Sequence, residues 1–144
     1  MRILAVDPGE KRIGLAISDP SATIANPLSV LRHVTRNVDA ATIAQIAADN
    51  QAELIIVGQA LDEEGQSNPR SRSAARLAEA IRMQTGLPVD LWDESGSTQA
   101  ARSARLAMGA SRRKRSGHLD DIAATVILQT YLDAHAGSDT KLAT

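Results

Sequence analysis

Two hydrophobic periods alternate along this chain of 144 residues. The first apolar run, residues 3–6, leads straight into Asp7. Residues 2–7 and 12–18 read as two short strands around Pro8-Gly9-Glu10-Lys11, a hairpin turn, and should pair antiparallel. Residues 23–31 give a weaker strand, in which Pro27 points to an edge position or a bulge. Over 37–50, Val38, Ala41, Ile43, Ala44, Ile46 and Ala47 fall at helical spacing, with Asn37 as N-cap. Residues 54–57 are wholly apolar, the pattern of a buried parallel strand. The polar stretch 58–70 reads as a loop. Residues 71–85 set Ala74, Leu77, Ala78 and Ile81 on one helical stripe that stops at Gly86, with Pro88 beyond. A last strand, 89–92, runs into Asp93 and Glu94. Further helices are expected over 98–108 and 119–134, separated by 109–117, and the chain from Gly137 onward reads as a frayed tail.

This order predicts an α/β fold in which a hairpin-led antiparallel sheet is extended by parallel crossover units. One domain over 1–136 is expected, with 137–144 as a disordered tail; no internal repeat or second boundary is visible. In such sheets ligands bind outside the carboxyl ends of the parallel strands. Asp7 and Glu94 both occupy strand carboxyl ends.

Composition narrows the function. With one Trp, one Tyr and no Phe, the core must be built from Ala, Leu, Ile and Val, and nucleic-acid binding by base stacking on aromatic platforms is disfavoured. The absence of Cys removes disulfides, thiolate metal sites and a cysteine nucleophile. No signal-peptide pattern or membrane-spanning apolar run is present, so a soluble cytoplasmic protein with no membrane partner is expected. Net charge is −1, but the average hides an imbalance. Between Thr98 and Leu119 stand Arg102, Arg105, Arg112, Arg113, Lys114 and Arg115, without a single Asp or Glu.

An ionised Asp at the end of a buried strand is costly unless it is paired, hydrogen-bonded or bound to metal. Glu10, Lys11 and Arg12 follow in a turn that water reaches, so a cation is a candidate partner for Asp7. On a helical wheel of the last helix, Asp120 falls between Ile127 and Tyr131 and beside Ala124, whereas Asp121 lies nearer Thr125 and Gln129. Asp120 is therefore the one expected to face the sheet. Carboxylates converging from two strand ends and a helix repel one another unless divalent metal neutralises them, and oxygen-only ligands suit Mg²⁺ or Mn²⁺.

Five segments together resemble one family: DPGEKRIGLAISDP at 7–20, ELIIVG at 53–58, LPVDLWDE at 87–94, SRRKR at 111–115 and LDDIAATVILQTYLD at 119–133. They are similar to the YqgF or RuvX-like proteins, described as pre-16S rRNA nucleases and as Holliday junction resolvase-like, within the ribonuclease H-like fold. The resemblance implies a central five-stranded mixed sheet with helices on both faces. It also implies that Asp7, Glu94 and Asp120 are the catalytic, metal-binding carboxylates and that the substrate is structured nucleic acid. Two departures stand out. Glu94 is followed by Ser95-Gly96-Ser97-Thr98 where the family usually reads DERLTT, and Gln59-Ala60-Leu61-Asp62 replaces a Leu-Pro-Leu-Asn-like run.

Each candidate has a plainer reading. Asp7 could cap the Pro8-Gly9 turn, while Glu94 and Asp120 could be first-turn helix acids. The run Arg112 to Arg115 could be a solvated loop, but its place between Glu94 and Asp120 favours phosphate contact, with Lys11 and Arg12 near Asp7 adding to it. His118 reads as a capping or solvent-facing residue and Trp92 as core. The expected activity is metal-dependent phosphodiester hydrolysis, maturing the 5′ end of precursor 16S rRNA as the resemblance implies. Alternatives are cleavage of branched DNA, a non-catalytic nucleic-acid-binding module, and, weakest, an actin-like or sugar-kinase-like nucleotide site. The sequence leaves monomer and homodimer both open.

Overall fold

The computed structural model describes residues 1–61, 64–93 and 119–143, with side chains in the last segment described over 122–136. The hairpin forms as its alternation dictates: β1 (Arg2–Asp7) and β2 (Arg12–Ser18) pair antiparallel, Leu4 opposite Ile17 and Asp7 opposite Gly14. β3 (Ala25–Arg32) adds to β2 antiparallel and forms an edge of the sheet. Pro27 satisfies both expectations for it. It lies in an edge strand, and the register jumps there: Ala16 pairs with Pro27 and Leu15 with Ser29, which leaves Leu28 as an extra residue in β3.

β4 (Ala52–Gln59) and β5 (Val89–Asp93) run parallel to β1, giving a five-stranded sheet of order β3-β2-β1-β4-β5. Strand alternation divides the core into two layers. Leu4, Val6, Ile13, Leu15, Ile55 and Val57 face α1 (Arg36–Asp49) and α2 (Pro69–Arg82). Ile3, Ala5, Ala16, Leu54 and Ile56 face α3 (Leu119–Ala143), which contributes Ala124, Ile127, Leu128 and Leu132. Each fully buried Leu or Ile in these layers contributes about 1.5–3 kcal/mol. The helices thus cover both faces, as expected.

Several boundaries differ from the sequence reading by a few residues, and three helix ends show why. α1 is capped by Thr35, whose hydroxyl accepts from the Val38 N–H at 3.2 Å, and Asn37 lies inside its first turn. The buried Asp39 carboxylate accepts the Val34 N–H at 3.0 Å and bonds the His33 ring, which draws the helix start back towards β3. α2 begins at Pro69 instead of residue 71. Asn68 and Ser71 form a reciprocal capping box, Asn68 accepting from the Ser71 N–H at 2.9 Å while the Ser71 hydroxyl accepts from the Asn68 N–H at 2.8 Å. α3 is assigned to Ala143, past Ala134 where the sequence reading ends it. A single Gly137 costs a helix only about 1 kcal/mol relative to Ala, and no proline follows to stop it. The helix expected over 98–108 lies outside the described residues.

Candidate active site

Asp7 ends β1, half-buried, on a rung where neither neighbouring strand offers a side chain. Its partner on β2 is the buried Gly14, and β4 passes from Val57, the partner of Val6, to Gly58. Alternation along β1 puts Asp7 on the face of Ile3 and Ala5, towards α3. Gly58 lies on that face too, for a Cβ there would stand 2.8 Å from Ile127 Cδ1. The two glycines let α3 come close while leaving room beside the carboxylate. Gly9 is also required by packing, because a Cβ would meet the Arg12 carbonyl oxygen at 2.2 Å. The turn that carries the chain from Asp7 back into β2 closes only without a side chain at that position.

A cleft of about 220 Å³ opens at this end of the sheet, lined among others by Asp7, Gly9, Glu10, Gln59, Arg70 and Ser73. The start of α2 forms its wall, and the Asn68 side-chain amide holds the approach by donating to the Ala60 carbonyl at 2.8 Å. Arg70 and Ser73 do not stand out in the sequence, where Arg70 falls at the end of a stretch read as loop and Ser73 on the polar side of the helix expected from residue 71. A signal for them exists in Asn68-Pro69, an N-cap followed by proline at the first helical position, which moves Arg70 into a helix at the strand ends.

Asp7, Glu10, Gln59 and Ser73 bring carboxylate, amide and hydroxyl oxygens to this lining, donors that fit a hard divalent cation such as Mg²⁺ or Mn²⁺, with the Arg70 cation beside them. Among the described residues no three of His, Cys, Asp or Glu cluster to hold a metal. Asp7 and Glu10 both line the cleft. Glu94 lies outside the described residues, next after Asp93 at the end of β5 and two positions past Trp92. Asp120 belongs to the first turn of α3, four residues before buried Ala124 and seven before Ile127. Its side chain is outside the described set, as are Arg102, Arg105, Arg112, Arg113, Lys114, Arg115 and His118.

The remaining candidates are in view. Lys11 and Arg12 are exposed at the start of β2, where the Lys11 carbonyl accepts the His33 N–H at 2.9 Å. Trp92 is half-buried against the core layer under α3. Its indole N–H donates to Thr130 Oγ1 at 3.1 Å, and its ring meets Tyr131 edge-on at 5.2 Å. That agrees with a core residue. Tyr131 in turn stacks on His135 at 4.0 Å. Gln129 ties α3 to the hairpin side of the sheet, accepting from the Ala25 N–H at 3.0 Å and donating to the Thr23 carbonyl at 3.1 Å.

A mixed sheet led by a hairpin, with helices on both faces and an acidic residue ending its first strand, defines a ribonuclease H-like fold. Solved structures agree. The Thermus thermophilus RuvC in complex with Holliday junction substrate superposes with a TM-score of 0.62 at 17% identity, over 95% of this chain and 96% of that one. The fowlpox virus Holliday junction resolvase gives 0.56 at 17% identity, over 93% and 99%. The family is set by sequence: the RuvX Holliday junction resolvase model matches residues 1–134, and the chain belongs to that family. A relative from Myxococcus xanthus is 34% identical over 97% of this chain and 93% of its own length. Another, from an Anaeromyxobacter species, is 42% identical over 92% and 97%. Both carry the name "Putative pre-16S rRNA nuclease".

Proposed function

We propose that this chain is a metal-dependent nuclease that hydrolyses phosphodiester bonds in structured RNA and processes the 5′ end of precursor 16S rRNA. The observation that carries the reading is Asp7: a half-buried carboxylate at a strand end, beside Gly14 and Gly58, lining a cleft together with Glu10, Gln59, Arg70 and Ser73. The names of the relatives supply the substrate class. Asp7, Glu94 and Asp120 would hold Mg²⁺ or Mn²⁺, and such ions, when bound, supply an activated water and stabilise the leaving oxygen of an in-line displacement. Glu94 follows in sequence the strand whose Trp92 packs beneath α3, and Asp120 belongs to the first turn of α3; that strand and that helix adjoin the Asp7 face, which supports the reading.

Lys11, Arg12, Arg112, Arg113, Lys114 and Arg115 position the strand through its phosphates, contacts that orient substrate without reading its sequence. Residues 1–136 act as one nuclease domain, in the cytoplasm with the precursor rRNA, as monomer or homodimer. Branched DNA is the second reading, favoured by the family's description as a Holliday junction resolvase.

A side-by-side cleavage assay on precursor 16S rRNA and a four-way DNA junction, each with Mg²⁺ and with Mn²⁺, tests both. Asp7→Asn should abolish cleavage, by at least about a hundredfold, yet preserve or tighten nucleic-acid binding because one negative charge facing phosphate is gone. Undiminished cleavage by folded Asp7→Asn protein would sink the reading.

A further inference from the structure

We infer that Arg12 and Arg32 form a two-arginine anion site that holds a backbone phosphate of the nucleic acid next to the one at Asp7; this rests on the nuclease reading above. The register of β2 and β3 sets Arg12 directly opposite Arg32. Like charges facing each other across an antiparallel pair, with Cβ atoms about 5 Å apart, repel and destabilise the sheet. No ion pair among the described residues relieves this. The ion pairs of His33 with Asp39 and of Arg82 with Glu79 lie elsewhere, and among the described residues neither Arg12 nor Arg32 has a hydrogen-bond or ion-pair partner for its side chain. Both are exposed.

Their direction follows from their neighbours. Ile13 and Leu31 pack into the layer under α1 and α2, so Arg12 and Arg32 emerge on the opposite face, which is the face of Asp7. Arg12 stands two residues along β2 from Gly14, the partner of Asp7, or about 7 Å, and Arg32 one strand spacing of about 4.8 Å further. Arginine side chains reach across that gap to a phosphate adjoining the one at Asp7. Two guanidinium forks on side chains whose Cβ atoms are about 5 Å apart can both donate charge-assisted hydrogen bonds to one phosphodiester, which turns their mutual repulsion into two attractions. A local sacrifice of sheet stability of this kind marks a functional position.

The test opposes stability to binding. Arg32→Gln is compared with the wild type by thermal melting, and by salt-dependent affinity for a single-stranded RNA carrying the precursor 16S 5′ sequence. The melting temperature should hold or rise by about 1–3 °C. RNA affinity should fall about two- to fivefold, and the slope of log K against log salt should shrink by about 0.7, one phosphate's worth. Arg32→Lys should keep most of the slope. Arg32→Glu, which faces Arg12 with an opposite charge, should melt higher still and bind RNA more weakly than Arg32→Gln. An unchanged slope in Arg32→Gln beside a wild type that binds and cleaves RNA overturns the anion site and leaves the nuclease reading standing. The anion site is overturned equally if Arg32→Gln melts several degrees lower, because the arginine would then be structural. Inorganic phosphate is the second probe. If it raises the melting temperature of the wild type but not of Arg32→Gln, while the wild type binds neither RNA nor junction DNA, the nuclease reading fails and the assignment of the ligand to nucleic acid is overturned with it.

Discussion

At the scale of single residues, the absence of side chains positions the chemistry as much as their presence. Gly58 sits where a Cβ would press on Ile127, a residue only 1% exposed with no free direction to retreat. Gly58→Val should cost about 1–3 kcal/mol by overpacking and lift α3 from the strand ends, so that cleavage falls along with stability. Urea denaturation reads this directly, and a change below about 0.3 kcal/mol would mean that α3 does not rest on Gly58. Asp19 shows the opposite device, a carboxylate saturated with donors. The Ile24 N–H (2.9 Å), the Ser21 hydroxyl and the Thr23 N–H (2.8 Å) bond it and hold its pKa down at about 2 against an ordinary 3.8. Its native form therefore binds protons less readily than its unfolded form. The support it lends the β2–β3 connection is complete above about pH 4 and lost as pH falls through about 2. A carboxyl NMR titration of the folded protein should place the Asp19 midpoint near about 2; a midpoint near about 4 would show that these bonds do not persist in solution.

At the scale of elements, caps decide what periodicity cannot. Residues 2–7 and 12–18 are readable to the residue, because Pro8-Gly9 breaks two clean apolar runs and β-branched positions leave no competing helix. The wholly apolar 54–57 announces β4 but not its ends. Helix starts are harder. Thr35 and Asn37 are both good caps by type, and the choice between them rests on Asp39, which turns inward to bond the His33–Val34 segment. That contact spans from strand to helix, so spacing within the helix does not reveal it. For α2 the cap is readable and its consequence larger, because starting at Pro69 takes Arg70 into the helix that lines the cleft with Ser73. Asn68→Ala should destabilise the protein by about 1 kcal/mol and also release the Ala60 carbonyl at the cleft mouth. The expected signature is a loss of substrate affinity larger than Arg72→Ala produces on the same helix, measured by RNA titration. Equal losses would separate the cap from the site.

At the scale of the whole molecule, a chain of net charge −1 brings several of its described cations to one end of the sheet. Lys11 and Arg12 lead into β2 there, β3 ends there with Arg32, and the first turns of α1 and α2 carry Arg36 and Arg70 there. The strand ends, and Asp7 among them, are readable from the order of elements alone, since parallel strands followed by helices leave few topologies. Arg32 is not. Its role depends on which residue it faces, and that is a property of two strands counted against each other. The count turns on Leu28, the residue in β3 without an opposite number. Were the strand regular from Ala25 onward, Leu31 would stand across from Arg12 and its apolar side chain would share the outer face, while Arg32 would fall past the end of the ladder. One surplus residue therefore acts as a phase shift that brings two cations into step. The spacing from Pro27 to Arg32 is then a length on which function depends, so that adding or removing one residue there should matter more than exchanging any one of them.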